Sequence, residues 1–144
     1  MSESPLGRAD FRAAVESADL PAITHTLQRD VRFDSTVTRR PYHGLAQVTP
    51  VLQILMDGLE DFRYTDELQA DAAVQALVFT SWVGGAMVQG VDLIRFGESG
   101  LVSGLTVLLQ PLEAVMALAQ TIERDTGHTL APPFPAEASP RTAS

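Results

Sequence analysis

Residues 86–109, AMVQGVDLIRFGESGLVSGLTVLL, constrain this chain more than any other stretch. Apolar side chains recur there with a period of two on either side of GESG, and successive side chains of an extended chain point to opposite faces. The segment is expected to be a hairpin of two long strands, 86–96 and 101–109. On the first strand Val88, Gly90, Asp92, Ile94 and Phe96 share a face that is apolar except for one carboxylate. Burial disfavours the charged form of an acid, and acids in such surroundings are frequent at functional sites. Asp92 is therefore the first candidate acid, and its face the first candidate pocket wall.

The remaining elements follow from the same patterning. Phe11, Ala14, Val15 and Ala18 recur at three and four, which predicts a short helix over 8–18. Asp19 suits an N-cap and Pro21 the first turn of a second helix ending near Gln28. VRFDSTVT, residues 31–38, alternates and is β-branched, so it predicts a strand with Val31, Phe33 and Ser35 on one face and Arg32 and Asp34 on the other. RRPYHG is a connector into the clearest helical period of the chain, 45–60, carried by Leu45, Val48, Leu52, Leu55, Met56 and Leu59. Strands over roughly 62–70 and 73–83 precede the 86–109 hairpin, with Gly84-Gly85 as a tight turn. Pro111 suits the first position of a last helix, Gly127 its C-cap. The domain is expected to span 1–127. Residues 128–144, with four prolines, read as a tail, unless Phe134 docks on the domain.

This order predicts an α+β fold: a strongly curved antiparallel sheet wrapped around helices into a cone, with a cavity at the wide end. Strands 73–83 and 101–109 are apolar on both faces. Val74, Ala76 and Val78 oppose Leu77 and Phe79, and Val102 and Leu108 oppose Leu101, Leu105, Val107 and Leu109. A sheet apolar on both faces has two surfaces to cover, which points to a homodimer.

Composition excludes several function classes. Cysteine is absent, so thiol nucleophiles, thiolate zinc sites, iron–sulfur clusters and disulfides are ruled out together. Every basic residue is arginine, which excludes Schiff-base lysines and a lysine-bearing phosphate loop. A net charge of −8 disfavours nucleic acid and anionic membranes. The polar start MSESPLGRAD is not a signal peptide, no apolar run reaches membrane-spanning length, and a cytoplasmic protein is expected. His25, His43 and His128 lack metal-ligand spacing, and no nucleotide, flavin, haem or metal is implied, so no cofactor is expected. The acids Asp57, Glu60, Asp61, Asp66, Glu67 and Asp71 read as a solvated face.

Arg40-Pro41-Tyr42-His43-Gly44 opening the long helix, Gly90-Val91-Asp92-Leu93-Ile94-Arg95-Phe96, and the turn Gly97-Glu98-Ser99-Gly100 stand in an order that resembles the nuclear-transport-factor-2-like superfamily, a cystatin-like roll. The resemblance covers about residues 8–124 and is closest to the branch of SnoaL-like polyketide cyclases and ketosteroid isomerase. It implies a general-base aspartate at Asp34, with one residue gapped in the loop that follows, and a protonated aspartate donating to an oxyanion at Asp92. It also implies a tyrosine donor on the first helix, where this chain has Phe11, which has no hydroxyl. Losing one such donor typically costs about 100- to 1000-fold in turnover. The related epoxide hydrolases use an arginine two residues before the strand aspartate and an acid on the last strand. Gly90 and the acid-free run 101–109 occupy those places here.

The candidate catalytic residues are thus Asp34 and Asp92, and the candidate ligand contacts are Phe11, Tyr42, His43 and Trp82. Trp82 and Phe79 stand on opposite faces of one strand, so a regular strand turns only one of them inward. Three readings follow: binding of a small hydrophobic molecule, a cofactor-free isomerase, cyclase or lyase moving a proton on a carbonyl or polyketide-like substrate, and a protein-interaction module.

Overall fold

A computed structural model describes residues 8–38 and 41–126. Its elements, in chain order, are α1 (Arg8–Glu16), α2 (Leu20–His25), β1 (Leu27–Ser35), β2 (Tyr42–His43), α3 (Leu45–Gly58), β3 (Glu60–Asp71), β4 (Val74–Val83), β5 (Ala86–Phe96), β6 (Val102–Gln110) and α4 (Leu112–Thr126). The strands form one curved, unclosed sheet in the order β2-β1-β6-β5-β4-β3. The fold is α+β, and the sheet is mixed rather than wholly antiparallel, because β1 runs parallel to β6. The expected C-cap Gly127 and the tail from 128 to 144, with His128 and Phe134, lie outside the described residues.

Several boundaries differ from the sequence pattern for local reasons. Helix α1 stops at Glu16 rather than near 18, because Ala18 takes a left-handed backbone with φ of 56°. Helix α2 is capped at its start by Asp19, whose side chain accepts from the Ala22 N–H. It stops at His25 because the Thr26 hydroxyl and N–H both donate to the Ile23 carbonyl, after which the chain is free to extend. Strand β1 therefore starts at Leu27, four residues earlier than its β-branched run. The connector contains a two-residue strand, with Arg32 opposite His43 and Phe33 opposite Tyr42.

The meander is as the alternation predicts. Gly84 and Gly85, with φ of 54° and 85°, make the tight turn that pairs Val83 with Ala86, a conformation matched to the right-handed twist of flanking strands. One face of β4 and β5 is buried residue by residue: Leu77, Phe79, Ser81 and Val83, then Val88, Gly90, Asp92, Ile94 and Phe96. Helix α3 packs on β1 and buries Val48, Val51, Leu52 and Leu55 in the same core, and α4 contacts β4, β5 and β6. Gly90 is required where it stands. A side-chain carbon there would collide with the ring of Phe79 and lie 2.6 Å from the Leu108 carbonyl oxygen. The bare backbone at Gly90 lets Phe79 lie flat across β5, which brings an aromatic ring beside Asp92.

Candidate functional site

Between α1, α3 and the buried sheet face is a cavity of about 290 Å³. Helix α1 contributes Phe11, Val15 and Glu16, and the turn after it Ala18. Helix α3 and its C-terminal residue contribute Leu52, Leu55, Met56 and Leu59. The sheet contributes Asp61, Phe62, Phe79, Leu105, Val107 and Asp92. The wall is apolar apart from three carboxyls. Glu16 and Asp61 are exposed and ion-paired, Glu16 with Arg12 at 3.0 Å and Asp61 with Arg63 at 3.6 Å. Asp92 is only 6% exposed. Ala18 and Asp61 both have left-handed backbones, with φ of 56° and 50°. Strained non-glycine residues of this kind cluster at functional sites.

Asp92 is held from one side. The Tyr64 hydroxyl donates to its Oδ2 at 2.6 Å inside the protein. Burial pushes the Asp92 carboxyl up to about 7 from its ordinary value of 3.8, while the Tyr64 hydrogen bond pulls the other way by stabilising the ionised form. Burial first, and the neighbouring Asp92 second, hold the Tyr64 phenol far above its ordinary range. The Tyr64 ring stands edge-on to Phe62 at 5.0 Å, and Phe62 stacks on Phe79 at 4.5 Å. A carboxyl in this setting holds its proton well above the usual carboxylate range, and a protonated carboxyl can donate a hydrogen bond.

The other sequence candidates are not gathered here. Asp34 lies on the face of β1 opposite Phe33 and Ser35, pairs in register with Thr106 of β6, and accepts from Arg32 Nε at 3.2 Å. The full thickness of the sheet separates that face from the cavity. Tyr42 and His43 sit on β2 at the far edge of the sheet; Tyr42 is half-buried against the core, and the His43 N–H donates to Gln47 Oε1. Trp82 points away from Phe79 and is 40% exposed on the open face, so Phe79 is the aromatic of β4 that lines the cavity. Phe11 alone of the four expected contact residues lines it.

Tyr64 does not stand out by pattern. Its signal is present in DFRYTDE, where Phe62 and Tyr64 share a face of an otherwise charged strand. The acidic stretch around it is solvent-exposed as expected, but two of its members have specific tasks: Asp61 lines the cavity, and Glu67 accepts from Arg12 Nη1 at 2.6 Å. Among the described residues no group of His, Cys, Asp and Glu is arranged to hold a metal ion, and no helix is long and apolar enough to cross a membrane.

No protein-family model matches the chain, and no curated protein matches it. Solved structures do. A steroid delta-isomerase from Pseudomonas aeruginosa is similar with a TM-score of 0.80 and 26% identity, over 88% of this chain and 93% of that one. A conserved bacterial protein with a cystatin-like fold from Silicibacter pomeroyi gives 0.78 and 28%, over 84% and 85%. A SnoaL-like protein of unknown function from Burkholderia thailandensis gives 0.60 and 15%, over 77% and 99%. The fold is that of the nuclear-transport-factor-2-like superfamily.

Proposed function

We propose that this chain binds a small, uncharged, largely apolar molecule carrying a hydrogen-bond acceptor such as a carbonyl oxygen, to which protonated Asp92 donates. The observation that carries the reading is one buried carboxyl, held near 7 by desolvation, in the wall of an apolar cavity. An anionic ligand is disfavoured, because every ionisable group of the wall is an acid. Equilibrium dialysis with naphthyl methyl ketone, its isostere isopropenylnaphthalene and naphthoate tests this. The ketone is expected to bind about tenfold more tightly than the isostere at pH 6, the worth of one net hydrogen bond. Its affinity should fade above pH 7 as Asp92 loses its proton, and naphthoate should not compete. Equal binding of ketone and isostere would remove the donor from the reading.

Cofactor-free proton transfer on a carbonyl compound is the second reading. The 26% identity to a steroid delta-isomerase and the match of Asp92 to that branch's protonated acid favour it. It needs a base within the cavity. Asp34 is on the other face of the sheet, which leaves Glu16 and Asp61 as the carboxylates in reach.

The chain is also proposed to pair with a second copy through its open sheet face. Val78, Val91 and Leu108 form one row across β4, β5 and β6, flanked by Trp82 opposite Met87. Leu108 and Met87 are exposed at 48% and 53%. Leu108→Arg is expected to convert a dimer to a monomer in sedimentation at micromolar concentration with the melting temperature preserved. A wild type that already sediments as a monomer would end this part of the reading.

A further inference from the structure

We propose that Tyr64 is the positioning residue of this site: by occupying one oxygen of Asp92 it turns the other oxygen, with the acid's proton, toward the cavity, and it sets the pH up to which that proton is held. This rests on the reading of Asp92 as the donor to a ligand.

The hydrogen bond distinguishes the two oxygens of the carboxyl. Oδ2 accepts from the Tyr64 hydroxyl at 2.6 Å. With the Tyr64 hydroxyl donating to Oδ2, a proton there would meet the tyrosine's hydrogen, so in this arrangement the neutral acid carries its proton on Oδ1. Asp92 belongs to the cavity wall and Tyr64 does not, so Oδ1 is the oxygen a ligand meets.

Tyr64 is itself fixed on three sides. Phe62 and Phe79 stand edge-on to its ring, at 5.0 and 6.3 Å, and the Arg12 guanidinium lies 5.5 Å from the ring centre. Arg12 is in turn held by Glu16 and Glu67 at 3.0 and 2.6 Å. The hydroxyl thus arrives from β3, on the side of the acid away from the ligand. The resemblance expects a donor on α1, beside the ligand, where Phe11 stands. A hydroxyl on that side shares the ligand's oxygen with the acid; one on this side acts through the acid alone.

Five titratable groups lie around Asp92. Tyr64 touches it, Glu16 and Asp61 share its cavity, and Arg12 lies over the tyrosine with Glu67 beyond. Of these only Tyr64 bonds the carboxyl, and a bond to the carboxylate favours ionisation. Removing it should therefore raise the midpoint.

The experiment is carboxyl-carbon NMR titration of Asp92 in wild type, Tyr64→Phe and Tyr42→Phe, without ligand. The midpoint should rise by about one pH unit in Tyr64→Phe and stay in place in Tyr42→Phe, which removes the chain's other phenol hydroxyl at a residue that does not line the cavity. Replacing both tyrosines of the chain by fluorotyrosine, a stronger donor that leaves the packing intact, should lower it, and this holds the test open if Tyr64→Phe does not fold. Dialysis of naphthyl methyl ketone against Tyr64→Phe should show its pH limit moving up with the midpoint. A midpoint that does not respond to Tyr64→Phe or to fluorotyrosine overturns the proposal. If wild type fails to bind the ketone, the ligand reading falls while the midpoint still reports on Tyr64.

Discussion

Asp92→Asn is expected to stabilise the protein at pH 8 by about 2–4 kcal/mol and to leave it nearly unchanged at pH 4. In the unfolded chain this acid loses its proton near 3.8; in the folded protein it holds it to about 7. Between those values the folded state binds more protons than the unfolded state, so stability falls as pH rises through the window. The stabilising share is fully present below 3.8 and fully lost above 7. Each pKa unit is worth about 1.4 kcal/mol, which bounds the loss at about 4 kcal/mol. Asparagine bears no charge at any of these pH values and keeps an oxygen to accept from Tyr64. Urea unfolding of both proteins at pH 4, 6 and 8 checks the result. A variant less stable than wild type at pH 8 would mean that the ionised carboxylate is satisfied where it sits, and the donor role would go with it.

Phe79→Ala is expected to cost about 3–5 kcal/mol, the range for deleting a buried aromatic side chain. Phe79 is wholly buried, stacks on Phe62 and lies across Gly90. Its removal merges the lost volume with the existing cavity, so the site should then accept an anthracenyl ketone that the wild type rejects. Chemical unfolding measures the first effect and dialysis the second. A loss below about 1 kcal/mol would show that neighbouring side chains collapse into the space.

Alternation is the most reliable guide in this sequence, and it outranks alignment. It places Asp92 on the buried face of β5 and Asp34 on the polar face of β1. The resemblance nonetheless assigns Asp34 the base's place by gapping one residue, and in a strand a slip of one residue exchanges the two faces. The α3 period likewise delivers Leu52, Leu55, Met56 and Leu59 to the cavity. Tyr64 is hidden in the sequence because its partner lies 28 positions away on another strand, and only the β3–β4–β5 pairing brings them together. Strand β1 is longer than its β-branched run because Gln28, Arg29 and Asp30 are polar yet extended. Their course is fixed from its two ends, where Leu27 stands opposite Val102 and Arg32 opposite Gly104 of β6 with an irregularity in between, rather than by their own preferences. The parallel β1–β6 pair is invisible to patterning for the same reason: pairing between distant strands leaves no local trace.

That parallel pair also orders the assembly of the molecule. Strands β3 to β6 are joined by short turns and can zip up by local contacts, whereas β1 reaches β6 only after the whole intervening chain has been drawn together. Closing so long a loop has an entropic cost that must be met before any of its contacts form. Helices α1 and α2 precede β1 in the chain, and with it they bring Phe11, Val15 and Ile23, one wall of the cavity. The cavity is therefore expected to be completed late in folding, after the meander. A molecule bound within it should slow the rate at which α1, α2 and β1 come away more than it speeds the assembly of the meander.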